Sequence, residues 1–191
     1  MDLNEEKNIV HRIGTPESAY SERRNFEQER IAYSNGEIPE NDLNNALAAK
    51  GVEGYFIFMN SLGELRHYSE DGDLIFNHEI PGDIKTKVFD FIILQNREVA
   101  QEHTVIPLAF ARNMKLLDDL IYLFLPKPFG AVDLDFRMLV FNTNGELLKH
   151  YVFLDETNEA FLFDFTISDD GNINFVDVMN AEILRFTPSN N

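Results

Sequence analysis

The feature that most constrains this chain is internal repetition. From residue 54 onward, short apolar runs are separated by turn dipeptides. The runs cover residues 55–59, 74–80, 88–94, 120–125, 138–141, 147–153, 161–167, 173–178 and 183–186, all of strand length and rich in Phe, Ile, Val, Leu and Tyr. Several are almost continuously apolar, which implies burial on both faces. The segment His67-Tyr68-Ser69-Glu70-Asp71-Gly72-Asp73-Leu74 aligns with Val140-Phe141-Asn142-Thr143-Asn144-Gly145-Glu146-Leu147. In both, an aromatic is followed by three residues, a glycine, an acid and a leucine. Asp-Gly and Asn-Gly supply the positive φ that a tight hairpin demands. Val88-Phe89-Asp90-Phe91 matches Leu162-Phe163-Asp164-Phe165, and residues 55–68 match residues 173–186 as strand, turn and strand. Together these matches predict a repeated antiparallel unit of about four strands.

In the last copy, residues 161–168, 173–178 and 183–186 supply the first three strands of the unit. Residues 55–59, 65–68 and 74–80 supply the last three of an earlier copy. The middle copy comprises residues 88–94, 120–125, 138–141 and 147–153, with insertions at 95–119 and 127–137. Helical periodicity is weak except over residues 109–117, where one short helix is expected. Residues 18–33 are charged on every face and read as a surface arm rather than a helix. Residues 8–13 offer the strand that the last copy lacks. The division is residues 1–50 as an N-terminal strand and polar arm, and residues 51–191 as the repeated blades.

The run Phe165-Thr166-Ile167-Ser168-Asp169-Asp170-Gly171-Asn172-Ile173-Asn174-Phe175-Val176-Asp177, continued by Asn180-Ala181-Glu182-Ile183-Leu184-Arg185-Phe186, resembles the β-propeller repeats of the NHL, TolB-like and bacterial six-bladed group. The resemblance implies an all-β, propeller-like array of four-stranded antiparallel blades. It also implies a ring closed by pairing an N-terminal strand, here residues 8–13, with the last blade. The chain departs from that pattern in holding material for about three blades, where closed propellers have four to eight. Either a partial propeller or a homodimer that completes a ring follows from this.

Charge sets the classes of partner. The 191 residues hold 16 Lys+Arg against 33 Asp+Glu, a formal charge of −17. Such a surface does not neutralise phosphates, so nucleic acid is excluded as a partner and anionic membranes are disfavoured. No apolar run approaches the ~20 residues of a membrane helix. The acidic start predicts no secretory signal in this chain: cytoplasmic as written, extracytoplasmic if a precursor was trimmed. With no cysteine there is no disulfide, thiolate metal site or cysteine nucleophile.

Candidate chemistry is sparse. His11, His67, His78, His103 and His150 show no metal-ligand spacing. His78 and His150 read as outer-strand surface residues, and His67 as a packing residue. Asp169-Asp170-Gly171-Asn172 reads as a hairpin turn rather than a calcium loop, and Asp177 as structural. Asp90 and Asp164 occupy matching positions between phenylalanines. In a propeller, the inner strand lines the channel, so these two carboxylates are the candidates for a divalent cation (calcium) or a basic side chain. The competing reading is that each accepts backbone hydrogen bonds at a strand start. Phe89, Phe91, Phe163 and Phe165 are expected in the core of equivalent inner strands. No catalytic residue is identifiable and no other cofactor is expected. The propeller resemblance implies a non-enzymatic binding or interaction module whose acidic surface recognises a protein, a peptide or a cation. The alternative is a propeller hydrolase or lyase with a divalent cation in the central channel.

Overall fold

The structure is a computed structural model, and it describes residues 16–17, 25–99, 105–106, 108–128, 131, 134–154 and 160–187. Helix α1 (Phe26–Ser34) leads into β1 (Ala46–Gly51), β2 (Gly54–Met59), β3 (Glu64–Tyr68) and β4 (Leu74–Glu79), which form a four-stranded sheet in chain order. Helix α2 (Gly82–Val99) follows. Strands β5 (Asn113–Leu117), β6 (Leu120–Leu125), β7 (Phe136–Asn142) and β8 (Leu147–Phe153) make a second four-stranded sheet, also in chain order. The third sheet comprises, among the described residues, β9 (Leu162–Ile167), β10 (Ile173–Asp177) and β11 (Glu182–Phe186). Every pairing is antiparallel, so the all-β class holds.

The repeated turn is built the same way three times. Ser69 N–H donates to Asp73 O and Gly72 N–H to Ser69 O; Asn142 and Gly145 do the same with Glu146 and Asn142, and Ser168 and Gly171 with Asn172 and Ser168. Each glycine is left-handed, with φ of +92°, +82° and +78° for Gly72, Gly145 and Gly171. The two aligned segments even share a register shift, between His67 and Tyr68 and between Val140 and Phe141. In the first two sheets this turn joins the third strand to the fourth. In the last sheet it joins the first strand to the second.

The second sheet lies between two apolar clusters. Ile121, Leu123, Leu125, Leu139 and Phe141 pack with Phe56, Phe58 and Leu65 of the first sheet and with Ile84, Val88 and Ile92 of α2. Phe124, Phe136, Met138 and Val140 pack on Phe165, Ile173 and Phe175 of the third sheet. The nearly continuous apolar runs of β6 and β7 are thus buried on both faces.

Four expectations are corrected. Residues 88–94 are not a strand but the middle of α2. Ile84, Val88, Ile92 and Asn96 recur every fourth residue and are all buried, a helical stripe that the aromatic content disguises. Residues 109–117 hold a strand, β5, not a helix. Its hairpin to β6 turns on Asp118 and Asp119, both at positive φ (50° and 59°), where the sequence offers no glycine as a signal. The supposed arm contains α1, capped by the Asn25 side chain accepting from Gln28 N–H at 3.2 Å. Residues 18–24, and the strand expected over residues 8–13, lie outside the described residues. Finally, Phe163 is half exposed, and Phe89 and Phe91 are only partly buried on α2; of the four phenylalanines expected in inner strands, Phe165 alone is a buried strand residue.

The strand β1 escaped notice because Ala-Leu-Ala-Ala-Lys-Gly lacks β-branched residues. Buried polar bonds fasten the non-repeated segments to the sheets. Tyr33, fully buried at the end of α1, donates its hydroxyl to Asp42 at 2.6 Å and accepts from Leu108 N–H at 2.8 Å. Asn60 exchanges two hydrogen bonds with the backbone of Ala111, and Asn96 two with that of Ile106.

Candidate functional site

The edges of the first two sheets leave a cleft of about 570 Å³. Its aromatic wall comes from three adjacent strands. Phe56 on β2, His67 on β3 and Phe76 on β4 are brought side by side because His67 pairs in register with both Phe56 and Phe76. The His67 imidazole stacks on Phe56 with ring centroids 4.2 Å apart, and Phe76 stands 5.4 Å away at a tilt. Such offset and tilted pairs are the favoured geometries of aromatic contact. Leu116 of β5 and Ile75 of β4 add aliphatic surface.

Three turns form the rim. Glu53 stands in the β1–β2 turn, Asp119 in the β5–β6 turn, and Thr143 and Asn144 in the β7–β8 turn. The last is positioned by Gly145. A Cβ there would lie 2.5 Å from the His78 ring and 2.7 Å from that of Phe76, so the turn rests directly on β4. Glycine is needed for space as well as for φ.

His67 is 7% exposed and its Nε2 has no hydrogen-bond partner among the described residues. Burial lowers its pKa, and the carboxylate of Glu53 opposes that shift only in part. The ring is therefore neutral at pH 7, a flat, weakly polar face rather than a competing cation. An apolar aromatic wall with two acidic residues at its rim matches a cation carried on an apolar stem, which the ring faces attract and the carboxylates orient.

The carboxylates singled out from sequence do not meet. Asp90 is exposed on α2, while Asp164 is on β9. Asp164 accepts from Lys115 Nζ at 2.8 Å, from Asn113 Nδ2 at 3.1 Å and from Phe165 N–H at 2.8 Å. Burial would raise its pKa, but the Lys115 ammonium and the Phe165 N–H outweigh this and hold the carboxyl below its usual range. Among the described residues, no group of three or more His, Asp or Glu side chains is arranged to hold a metal ion. Asp177 is a structural cap: buried at the end of β10, it accepts from the N–H groups of Phe161, Met179 and Asn180 and from the Asn180 amide. Asp170 bonds Ser168 and Asn172 within its turn, contacts that hold its carboxyl down to about 2. His78 and His150 are exposed, while His11 and His103 lie outside the described residues.

The turn at Asn144-Gly145 and the packing role of His67 are legible in the sequence, but not that Asn144 and His67 line one cleft. Nothing in a single sequence signals contact between turns of different sheets. No protein-family model matches the chain, and no curated protein matches it in sequence.

Proposed function

We propose that the chain is a non-enzymatic binding module of β-propeller type, whose acidic surface takes a basic protein or peptide through the cleft between its first two sheets. The observation that carries this reading is the wall of Phe56, His67 and Phe76 beneath Glu53 and Asp119. A lysine or arginine side chain fits it: the stem lies on the rings and the charge reaches the rim. A net charge of −17 would steer such partners at long range. The propeller reading is supported by consecutive meanders whose first strands adjoin: Gly51 of β1 lies beside Leu116 of β5, and Asn113 of β5 bonds the Phe163 carbonyl of β9 at 2.9 Å.

Isothermal titration of the full chain with short lysine- or arginine-containing peptides tests the proposal. Binding should weaken about tenfold in Phe76→Leu and in the double variant Glu53→Gln/Asp119→Asn, and should fall with added salt. Equal affinity for basic, neutral and acidic peptides rules out this reading.

A homodimer belongs to the same proposal. Among the described residues the third sheet has three strands where the others have four, and its outer face exposes Val176 (43%) and Ile183 (74%) opposite one another. The two contacts between neighbouring sheets are both apolar and face to face, so a second copy stacked on this face would continue them. Light scattering should find a dimer that Ile183→Glu converts to monomer; a monomeric parent protein overturns it.

A further inference from the structure

We infer that the guanidinium of Arg112, held between Phe161 and Phe163 where β5 meets β9, is a second binding site, for the carboxylate of a small ligand with a planar apolar body. The site is independent of the cleft, with which it shares no lining residue.

Arg112 is the exception among the more sheltered cations. Lys115 is paired with Asp164, and Arg66 with Glu64 and Glu17. Among the described residues, the Arg112 guanidinium lies over two rings, at 4.7 Å from the Phe161 centroid and 5.1 Å from that of Phe163. Its Nε is enclosed without a hydrogen-bond partner among the described residues. Burial lowers its pKa. An arginine stays protonated even so. In a chain where acids outnumber bases 33 to 16, a half-buried guanidinium without a carboxylate partner among the described residues is a charge awaiting its counter-ion.

The surroundings hold that charge in place. Arg112 N–H donates to Phe124 O at 2.9 Å, which extends the β5–β6 pairing to the base of the side chain. Asn113 bonds Phe163 O, and Lys115 bonds Phe165 O, so β9 cannot slide relative to β5. The two rings lie against the guanidinium, a group whose paired N–H donors carboxylates accept in bidentate fashion. Phe163 is half exposed and offers a platform for a flat ligand body. Charge selects a monoanion. One guanidinium is available, since Lys115 is already neutralised by Asp164, and the net charge of −17 repels a phosphate dianion more strongly than a carboxylate.

The experiment is an NMR titration of the full-length protein with sodium benzoate, and in parallel with sodium phosphate and benzylamine at constant ionic strength. Benzoate should give saturable shifts centred on Arg112, Phe161 and Phe163, and phosphate and benzylamine should not. Arg112→Met, which keeps the stem between the rings, should weaken benzoate about tenfold, the loss of a charge-assisted pair. Phe163→Ala, at an exposed ring, should weaken it about threefold while leaving the spectrum of the core unchanged. Equal shifts from phosphate and benzoate, or benzoate affinity unaltered in a folded Arg112→Met protein, overturn the inference. Should Arg112→Met fail to fold, unaltered benzoate affinity in Phe163→Ala overturns it instead.

Discussion

The second and third sheets are made by similar hairpins but are buried differently. In β7, Met138, Leu139, Val140 and Phe141 are all enclosed, since even positions face the third sheet and odd positions face the first. In β10, Ile173, Phe175 and Asp177 are buried while Val176 between them is exposed. The same hairpin chemistry therefore yields a central layer in one case and a one-sided layer in the other. What differs is not the turns but whether successive side chains are all apolar. The difference teaches that the matched turns report how strands pair, and the apolar runs report how many neighbours a sheet has.

The sharpest test compares aromatics. Phe124, in the second sheet, and Phe175, in the third, are both fully buried and face each other at 4.8 Å. Truncating either to alanine should cost about 3–5 kcal/mol in urea unfolding, whereas Phe163→Ala on the same third sheet should cost less than ~1 kcal/mol. Similar losses at Phe163 and Phe175 would mean that the third sheet is covered on both faces.

Gly145 links the second sheet to the first, whereas a Cβ added to its counterpart in the third, Gly171, would meet nothing within 4 Å. Both have positive φ, so valine at either should cost of order 1–3 kcal/mol for strain alone. Gly145→Val must also displace Phe76 and His78, and its midpoint should fall below that of Gly171→Val. Equal midpoints would separate the β7–β8 turn from β4, and with it one side of the cleft.

Tyr33→Phe leaves the Asp42 carboxylate and the Leu108 N–H without the hydroxyl that joins them. The expected loss is about 1–3 kcal/mol, read from thermal or urea unfolding. A silent substitution would show that α1 is not fastened to the core through this bond.

The smallest effect concerns the seam between the second and third sheets. The folded-state pKa of Asp164 is depressed, so the stability it contributes is present above its unfolded value of about 3.9 and is lost as pH falls through the lower folded value. Both partners are partly exposed (33% and 48%), which limits the contribution to at most about 0.5 kcal/mol. Asp164→Asn should flatten the acid limb of the stability curve by that amount, and an unchanged limb would mean the pair contributes nothing.

Local chemistry was legible where it was written locally. Asn144-Gly145 and Asp71-Gly72 are hairpin turns because the residues themselves carry the positive φ, and Asp169–Asn172 forms its turn through Ser168 and Asp170. The repeat misled where it rested on composition. Val88-Phe89-Asp90-Phe91 and Leu162-Phe163-Asp164-Phe165 share residue types, but the first belongs to a stripe of period four set by Ile84, Val88 and Ile92. Four residues are too few to distinguish the two periods, so the matching of Asp90 with Asp164 dissolved with the strand. Of the site, His67 was legible as a packing residue, but its neighbours across the cleft were not. Arg112 carries no motif at all.

The sequence by itself determined the antiparallel class, the positions of most strands and the turns between them, because hydrogen-bonded pairing and φ preference act over a few residues. It also determined the net charge of −17, which is a sum over side chains and needs no fold. Only the tertiary structure decided that the second sheet is the middle layer and that Phe76 and Asn144 line one cleft. It alone decided, too, that Arg112 lies between two phenylalanines without a counter-ion among the described residues. These facts depend on which faces meet, and that choice is made by packing between residues far apart in the chain.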